Sequence, residues 1–285
     1  MVNVGLRILE LARAARARSI FVVGTGKGVG KSTTLHAIYE AAVASGVSTG
    51  VASMGHKPRF ALRPRTLFAT ARALLPDSPA CEILATSHLE SSAGPLLYAR
   101  TVFGGAYDLI GPSSASSLRE SIDELSSRSD LVLVDGAIDR IATLAASDGA
   151  IVVACGAAAA ATREEAVADV AALTARLRIA PCTPQDAAIE LDGALTATRA
   201  AAFIAAREER QIVVRDATQI VMSGTSLAQA LERLRIRCRR PLRVVAATVC
   251  ALAPERFFEP AALLRDVAEA TGLPVFDVFA GAAAA

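Results

Sequence analysis

Between Gly24 and Thr34 the chain reads GTGKGVGKSTT, with four glycines set at every second position before Lys31, Ser32 and Thr33. Glycine enters backbone conformations closed to other residues, so such a stretch can turn consecutive N–H groups inward around an anion. The close of the segment, Gly30-Lys31-Ser32, matches the G-K-[ST] end of the Walker A pattern, and Thr25 stands where that pattern has its first glycine. In that chemistry the backbone from Gly24 through Thr25, Gly26, Lys27, Gly28, Val29, Gly30, Lys31, Ser32 and Thr33 cradles phosphates. Lys31 meets the β- and γ-phosphates and Ser32 ligates Mg²⁺. A helix starting at this point also turns its positive end toward the anion. The plainer alternative is a glycine-rich turn between a strand and a helix.

A phosphate loop of this kind works with an acidic residue on a neighbouring strand that holds the metal's water. Asp135, at the end of the apolar run LVLVD, has that position, although Asp-Gly is equally suited to a turn after a core strand. Lys57 follows the second expected strand and either reaches the γ-phosphate from a loop or is a surface lysine before Pro58. Asp139 and Arg140 follow Asp135 closely enough to orient water and sense nucleotide, or form a local salt bridge. Glu82 or Glu90 could add a second metal contact. His36 and His88 read as structural. Guanine-reading loops commonly carry N-K-x-D, and the single asparagine here is Asn3, so ATP is expected rather than GTP.

The elements that must hold these residues follow from periodicity. Residues 19–23 (SIFVV) form a short β-rich run before the glycines, and Leu35, Ile38, Ala42 and Val43 recur afterwards at helical spacing. An amphipathic helix is expected over 7–18 and a second strand over 47–53, with His56, Lys57 and Pro58 in the following loop. The stretch 60–98 reads as helical. Strands are expected at 107–110, 131–134 and 151–154, with capping boxes at Ser117–Glu120 and Thr162–Glu165. Further strands are expected at 211–214, 220–222, 244–249 and 275–279, a helix at 260–271, and a hairpin around Asp216. Unbroken apolar runs alternating with capped helices indicate a parallel sheet buried on both faces.

Composition narrows the class. The chain has 285 residues, of which 53% are hydrophobic and 20% charged, enough for a large core and unlike a disordered chain. No apolar run reaches the roughly 20 residues that span a bilayer, and charges interrupt the N-terminal segment, so a cytoplasmic protein without a membrane partner is expected. Five scattered cysteines make no C-x-x-C pair. Formal net charge is +2, which gives no reason to expect nucleic acid. The one basic cluster, Arg235, Arg237, Arg239, Arg240 and Arg243, lacks interleaved aromatics; it is either a solvated edge or a dock for an acidic partner or a nucleic acid.

The spacing G-T-x-x-x-V-G-K-[ST] from Gly24 to Ser32 resembles dethiobiotin synthetase and its relatives, which include cobyrinic acid amidases and the MinD and ParA ATPases. In MinD-like members a second lysine lies five residues before that of the loop; Gly26 has that place here and Lys27 follows it. Lys57-Pro58 is similar in position to the synthetase Lys-Pro pair whose lysine assists phosphoryl transfer, and Asp135-Gly136-Ala137 to its acidic residue followed by Gly-Ala. The synthetase's substrate-side serine and its Asn-Ser-Asp motif have no counterpart. The strings LIGPSS (109–114), LVLVDGAIDR (131–140) and PVFDV (274–278) are similar to a P-loop accessory protein of cobalamin-dependent lysine and ornithine aminomutases. In synthetase relatives the loop matching Cys250–Pro254 grips adenine.

Taken together, these readings predict an α/β P-loop NTPase whose doubly wound sheet is mainly parallel and mixed toward the C-terminus. They place one domain over 1–285: an N-terminal helix (1–18), a nucleotide-binding core (19–156), a C-terminal half completing the sheet (157–279) and a frayed tail (280–285). The expected cofactors are ATP and Mg²⁺. Lys31, Lys57 and Asp139 are the expected catalytic residues, and Ser32 and Asp135 the metal ligands. A protein partner or a second copy of the chain is expected to complete the assembly. Two functions are open: an ATP-driven accessory or switch protein, and an ATP-dependent enzyme phosphorylating a small carboxylate or carbamate.

Overall fold

The computed structural model describes residues 3–75, 79–135 and 149–284. The chain begins with α1 (Val4–Ala14), β1 (Ser19–Gly24), α2 (Lys31–Ala44) and β2 (Thr49–Ser53). Five strands follow: β3 (His56–Leu62), β4 (Leu67–Ala71), β5 (Cys81–Ser91), β6 (Gly94–Thr101) and β7 (Gly105–Ile110). Then come α3 (Ala115–Ser126), β8 (Leu131–Asp135), β9 (Ala150–Gly156) and α4 (Arg163–Leu177). The next stretch holds β10 (Ala188–Glu190), β11 (Leu195–Thr196), α5 (Ala197–Ala205), β12 (Gln211–Val214), β13 (Ile220–Val221), α6 (Gly224–Arg233) and β14 (Ile236–Cys238). The chain closes with β15 (Arg243–Cys250), β16 (Leu252–Ala253), β17 (Arg256–Phe257), α7 (Pro260–Thr271), β18 (Val275–Asp277) and β19 (Ala282–Ala284).

Ten strands form one sheet in the order β19-β18-β15-β9-β1-β8-β2-β4-β6-β5. From β18 to β4 every pairing is parallel. The two edges are antiparallel, β4-β6-β5 on one side and β18-β19 on the other. Alternation along β1 explains the two layers. Ile20 and Val22 pack with Ile8, Leu35 and Ile38 from α1 and α2. Phe21 and Val23 pack with Leu118, Val170 and Val267 from α3, α4 and α7 on the opposite face. Successive residues of a strand point to opposite faces, so a strand apolar throughout must be covered twice. The sheet is therefore mainly parallel and doubly wound.

Because β1 lies between β8 and β9, the chain leaving β1 through α2 crosses to one side while β9 lies on the other. Open α/β sheets bind ligands at such a switch point, outside the carboxyl ends of the strands. The glycine-rich segment is located there.

Several expectations are corrected. The stretch 60–98, expected to be helical, contains the end of β3, all of β4 and β5 and much of β6; β4 is buried at every position, which an inner strand tolerates. Mixed pairing therefore occurs at both edges of the sheet, and more extensively in the N-terminal half. The start of α3 is capped by Ser114, whose hydroxyl accepts from the Ser117 N–H at 3.1 Å, one turn before the expected box. At Thr162 the cap is as expected, its hydroxyl accepting from Glu165 N–H, while the Glu165 carboxylate accepts from the N–H of Ala161, one residue before the cap. No hairpin surrounds Asp216, since β12 and β13 belong to different sheets. Strands β10, β12 and β14 form a small parallel sheet with its own apolar cluster, including Ile212, Val214, Leu227 and Ile236. Residues 282–284, expected in a frayed tail, pair with β18. Among the described residues no helix is long and apolar enough to cross a membrane.

Candidate functional site

At the end of β1 the loop turns on two glycines in the left-handed region, Gly28 (φ 78°) and Gly30 (φ 85°). Gly30 is the residue preceding α2, and its carbonyl accepts the first helical bond from Thr34 N–H at 2.8 Å. The first-turn N–H groups of Lys31, Ser32 and Thr33 lack intrahelical acceptors by geometry and face the loop. The loop is anchored by Thr25 N–H, which donates to the Ala154 carbonyl of β9 at 3.0 Å, and by Val29, which is fully buried. Behind it, Thr34 and Thr248 of β15 share a buried hydroxyl hydrogen bond of 3.0 Å. Lys31 is buried and its ammonium donates to the Gly26 carbonyl. Lys27 is exposed.

The two expected metal ligands are brought together. The Lys57 ammonium donates to Ser32 Oγ at 2.7 Å and lies 2.9 Å from Asp135 Oδ2. One cation thus bridges the first turn of α2 and the end of β8, in register with Ser53 of β2. Asp135 is 9% exposed, so its carboxylate has little water to compensate it and relies on that cation. Two oxygen donors converging on one cationic centre is a donor set that suits Mg²⁺, a hard ion that takes few protein ligands and completes its shell with phosphate oxygens and water. Among the described residues there is no cluster of three or more His, Cys, Asp or Glu able to hold a metal without such help.

Lys57 is on a strand rather than in the expected loop. Strand β3 pairs antiparallel with β7, and the register slips between Lys57 and Phe60. Pro58 cannot donate to the ladder, and Arg59 adopts φ 52°. Asp108 of β7 fixes this bulge: its carboxylate accepts from Arg59 N–H at 2.8 Å and lies 3.3 Å from His56 Nε2. The Arg59 N–H, and secondarily His56, hold the Asp108 carboxyl below the usual aspartate range. The ribbon's inner side packs Phe60 against Tyr39 of α2, ring centroids 5.8 Å apart.

Other expected residues have different places. Asp139 and Arg140 lie outside the described residues. Glu82 and Glu90 are on β5, the edge strand, five positions from β1 and therefore roughly 24 Å away at the usual strand spacing; the structure does not bring them to the loop. His36 approaches Glu40 at 3.7 Å and His88 approaches Glu120 at 3.6 Å. In the basic cluster Arg235 pairs with Asp186 at 2.6 Å, Arg239 pairs with Glu190, and Arg243 donates to the Ala15 carbonyl at 3.1 Å.

Sequence reasoning missed the loop's other walls. A methyl group on Gly26 would lie 2.6 Å from Ala159 Cβ, so the turn after β9 presses on the loop. One on Gly30 would touch Cys250 Cβ at 3.4 Å and Phe279 at 3.6 Å. Phe279 is held by Asp277, which is buried and accepts from Phe279 and Ala280 N–H at 2.8 and 3.0 Å. An acid closing a short apolar strand was a readable signal at Asp277, as it was at Asp135.

The fold and this loop define a P-loop domain, a class built to bind nucleotides. In agreement, residues 10–58 match a family model described as "Domain of unknown function (DUF1611_C) P-loop domain"; the match runs from within α1 through Pro58. The search of curated proteins and the search of solved structures return no match.

Proposed function

We propose that this protein is an Mg-ATP-dependent P-loop ATPase acting as a switch on a partner protein. The observation that carries the reading is the triad of Ser32, Asp135 and Lys57. It connects the phosphate loop, the end of β8 and the β3-β7 ribbon through a single ammonium group. When bound, Mg²⁺ would supply positive charge that offsets the charge of the phosphates. Ser32 would ligate it and Asp135 would orient its water. Lys31 would turn from Gly26 to the phosphates, and the first-turn N–H groups of α2 would hold them in place. Lys57 would stabilise charge developing as the γ-phosphoryl group departs, so occupancy of the loop would be felt by the ribbon. Asp139, on the stretch following Asp135, would orient the attacking water.

ATP is preferred to GTP in this reading because N-K-x-D is missing. The switch is preferred to a metabolic enzyme because the synthetase's substrate-side residues are missing. The accessory proteins of cobalamin-dependent aminomutases are the setting that the strings at 109–114, 131–140 and 274–278 suggest, which makes the partner a mutase to be reactivated. Steady-state phosphate release tests the reading: slow turnover alone, raised at least tenfold by a partner protein, is expected. Acceleration by a small carboxylate or carbamate instead would replace the switch with the enzyme.

A further inference from the structure

The position of the Lys57 ammonium has a consequence for metal binding that rests on the nucleotide-site reading above. It lies 2.7 Å from Ser32 Oγ and 2.9 Å from Asp135 Oδ2, so both oxygens already share one cation. We infer that Lys57 is a resident counter-ion in the metal position, which bars free divalent metal and admits it only together with the phosphates of a nucleotide.

Charge balance supports this. Asp135 contributes one negative charge, Ser32 none, and Lys57 cancels the carboxylate. A divalent ion arriving alone would put three positive charges against one negative in a site where Asp135 is almost fully buried and charge interactions are strong. A nucleoside triphosphate brings several negative charges and supplies both oxygen ligands for the metal and a new partner for the displaced ammonium. Metal and nucleotide binding are then linked: each favours the other through the departure of Lys57.

The backbone favours a fixed post for this ammonium rather than a wandering surface lysine. Lys57 sits on the ribbon, in register with Leu109 of β7. The bulge directly after it is locked by Asp108 on Arg59 N–H at 2.8 Å, and Phe60 anchors the strand against Tyr39. Lys31 is also engaged, on the Gly26 carbonyl. Entry of a metal-nucleotide would therefore move two ammonium groups from protein oxygens to phosphate.

Mn²⁺ binding read by electron paramagnetic resonance, without nucleotide, tests the inference. Lys57→Met is expected to bind Mn²⁺ about tenfold tighter than the unmodified protein. The double variant Lys57→Met/Asp135→Asn is expected to lose that gain. A gain below threefold, or one that survives the loss of Asp135, overturns the inference. Lys57→Gln, which keeps a donor for Ser32, provides the same comparison if the methionine variant misfolds. In the unmodified protein, a Mn²⁺ concentration that half-saturates Lys57→Met should leave acylation of Lys57, read by mass spectrometry, unchanged; a rise with Mn²⁺ alone also overturns the inference. Binding of a fluorescent ATP analogue to the same unmodified protein separates the two readings. Nucleotide binding without any Mn²⁺ gain in the variants sinks the counter-ion and leaves the nucleotide site. A Mn²⁺ gain without nucleotide binding does the reverse.

Discussion

Replacing Gly30 by alanine separates backbone strain from steric collision in the phosphate loop. Gly30 holds φ 85°, and a methyl group there would meet its nearest neighbours at 3.4, 3.6 and 3.7 Å, which are ordinary contacts. The cost is therefore conformational: about 1–2 kcal/mol for an L-residue in the left-handed region, reduced by roughly 0.5 kcal/mol because an alanine chain loses less entropy on folding. A net loss of about 1 kcal/mol corresponds to a fall in Tm of about 2–4 °C for a domain of this general size. Asparagine visits the left-handed region more readily, so Gly30→Asn should lose less than Gly30→Ala. At Gly24 the order reverses. A methyl group there would lie 2.8 Å from both the Ala154 carbonyl oxygen and Val29 Cγ2, and 3.1 Å from Lys31 Cδ, so the loss is a collision of about 1–3 kcal/mol that a larger side chain worsens. Thermal unfolding of the four variants without nucleotide provides the comparison. If Gly30→Asn is less stable than Gly30→Ala, or Gly24→Asn more stable than Gly24→Ala, the reasoning from φ and contact distance is wrong.

Three further outcomes follow from the site and its surroundings. Asp135→Asn should abolish the Mg²⁺-dependent part of ATP binding measured by calorimetry; an unchanged Mg²⁺ response would remove Asp135 from the site. Asp108 titrates below its ordinary value because of Arg59 N–H and His56, so its stabilising effect is full above the ordinary aspartate value of about 3.9 and is lost as pH falls through the lower folded value. Urea unfolding should accordingly show Asp108→Asn less stable than the unmodified protein at pH 6 and the gap closing below about pH 4; a gap independent of pH would contradict this. Burial, with Cys250 and Asp169 adding to it, pushes the Cys155 thiol up to about 12, so iodoacetamide at pH 8 should spare Cys155 until the protein is unfolded. Its alkylation in the native state, read by peptide mapping, would contradict its buried place in β9.

The site was legible where its residues are consecutive and much less so where they converge. The run from Gly24 to Thr34 announces itself because cradling phosphate demands glycines, lysine and a hydroxyl in one turn. Asp135 could be picked out because an unbroken apolar strand ends on it. The meeting of Lys57 with Ser32 and Asp135 could not be read, for it depends on β3 pairing with β7 across 52 and 49 positions at the His56 and Arg59 contacts to Asp108. Pro58 concealed that strand, since proline normally signals a break. Elsewhere alanine and leucine blurred periodicity: β4 reads LFATA, which suits a helix as well as an inner strand until its neighbours are known. Strands of three residues, such as β10 and β14, are too short to carry a period at all.

Calorimetric titration of the protein with Mg-ATP, alongside Lys31→Ala, tests the nucleotide site most directly. Saturable binding by the unmodified protein, weakened at least tenfold (about 1.4 kcal/mol) by loss of the buried Lys31 ammonium, is the predicted result. No binding to the unmodified protein, or equal binding to both, would contradict it.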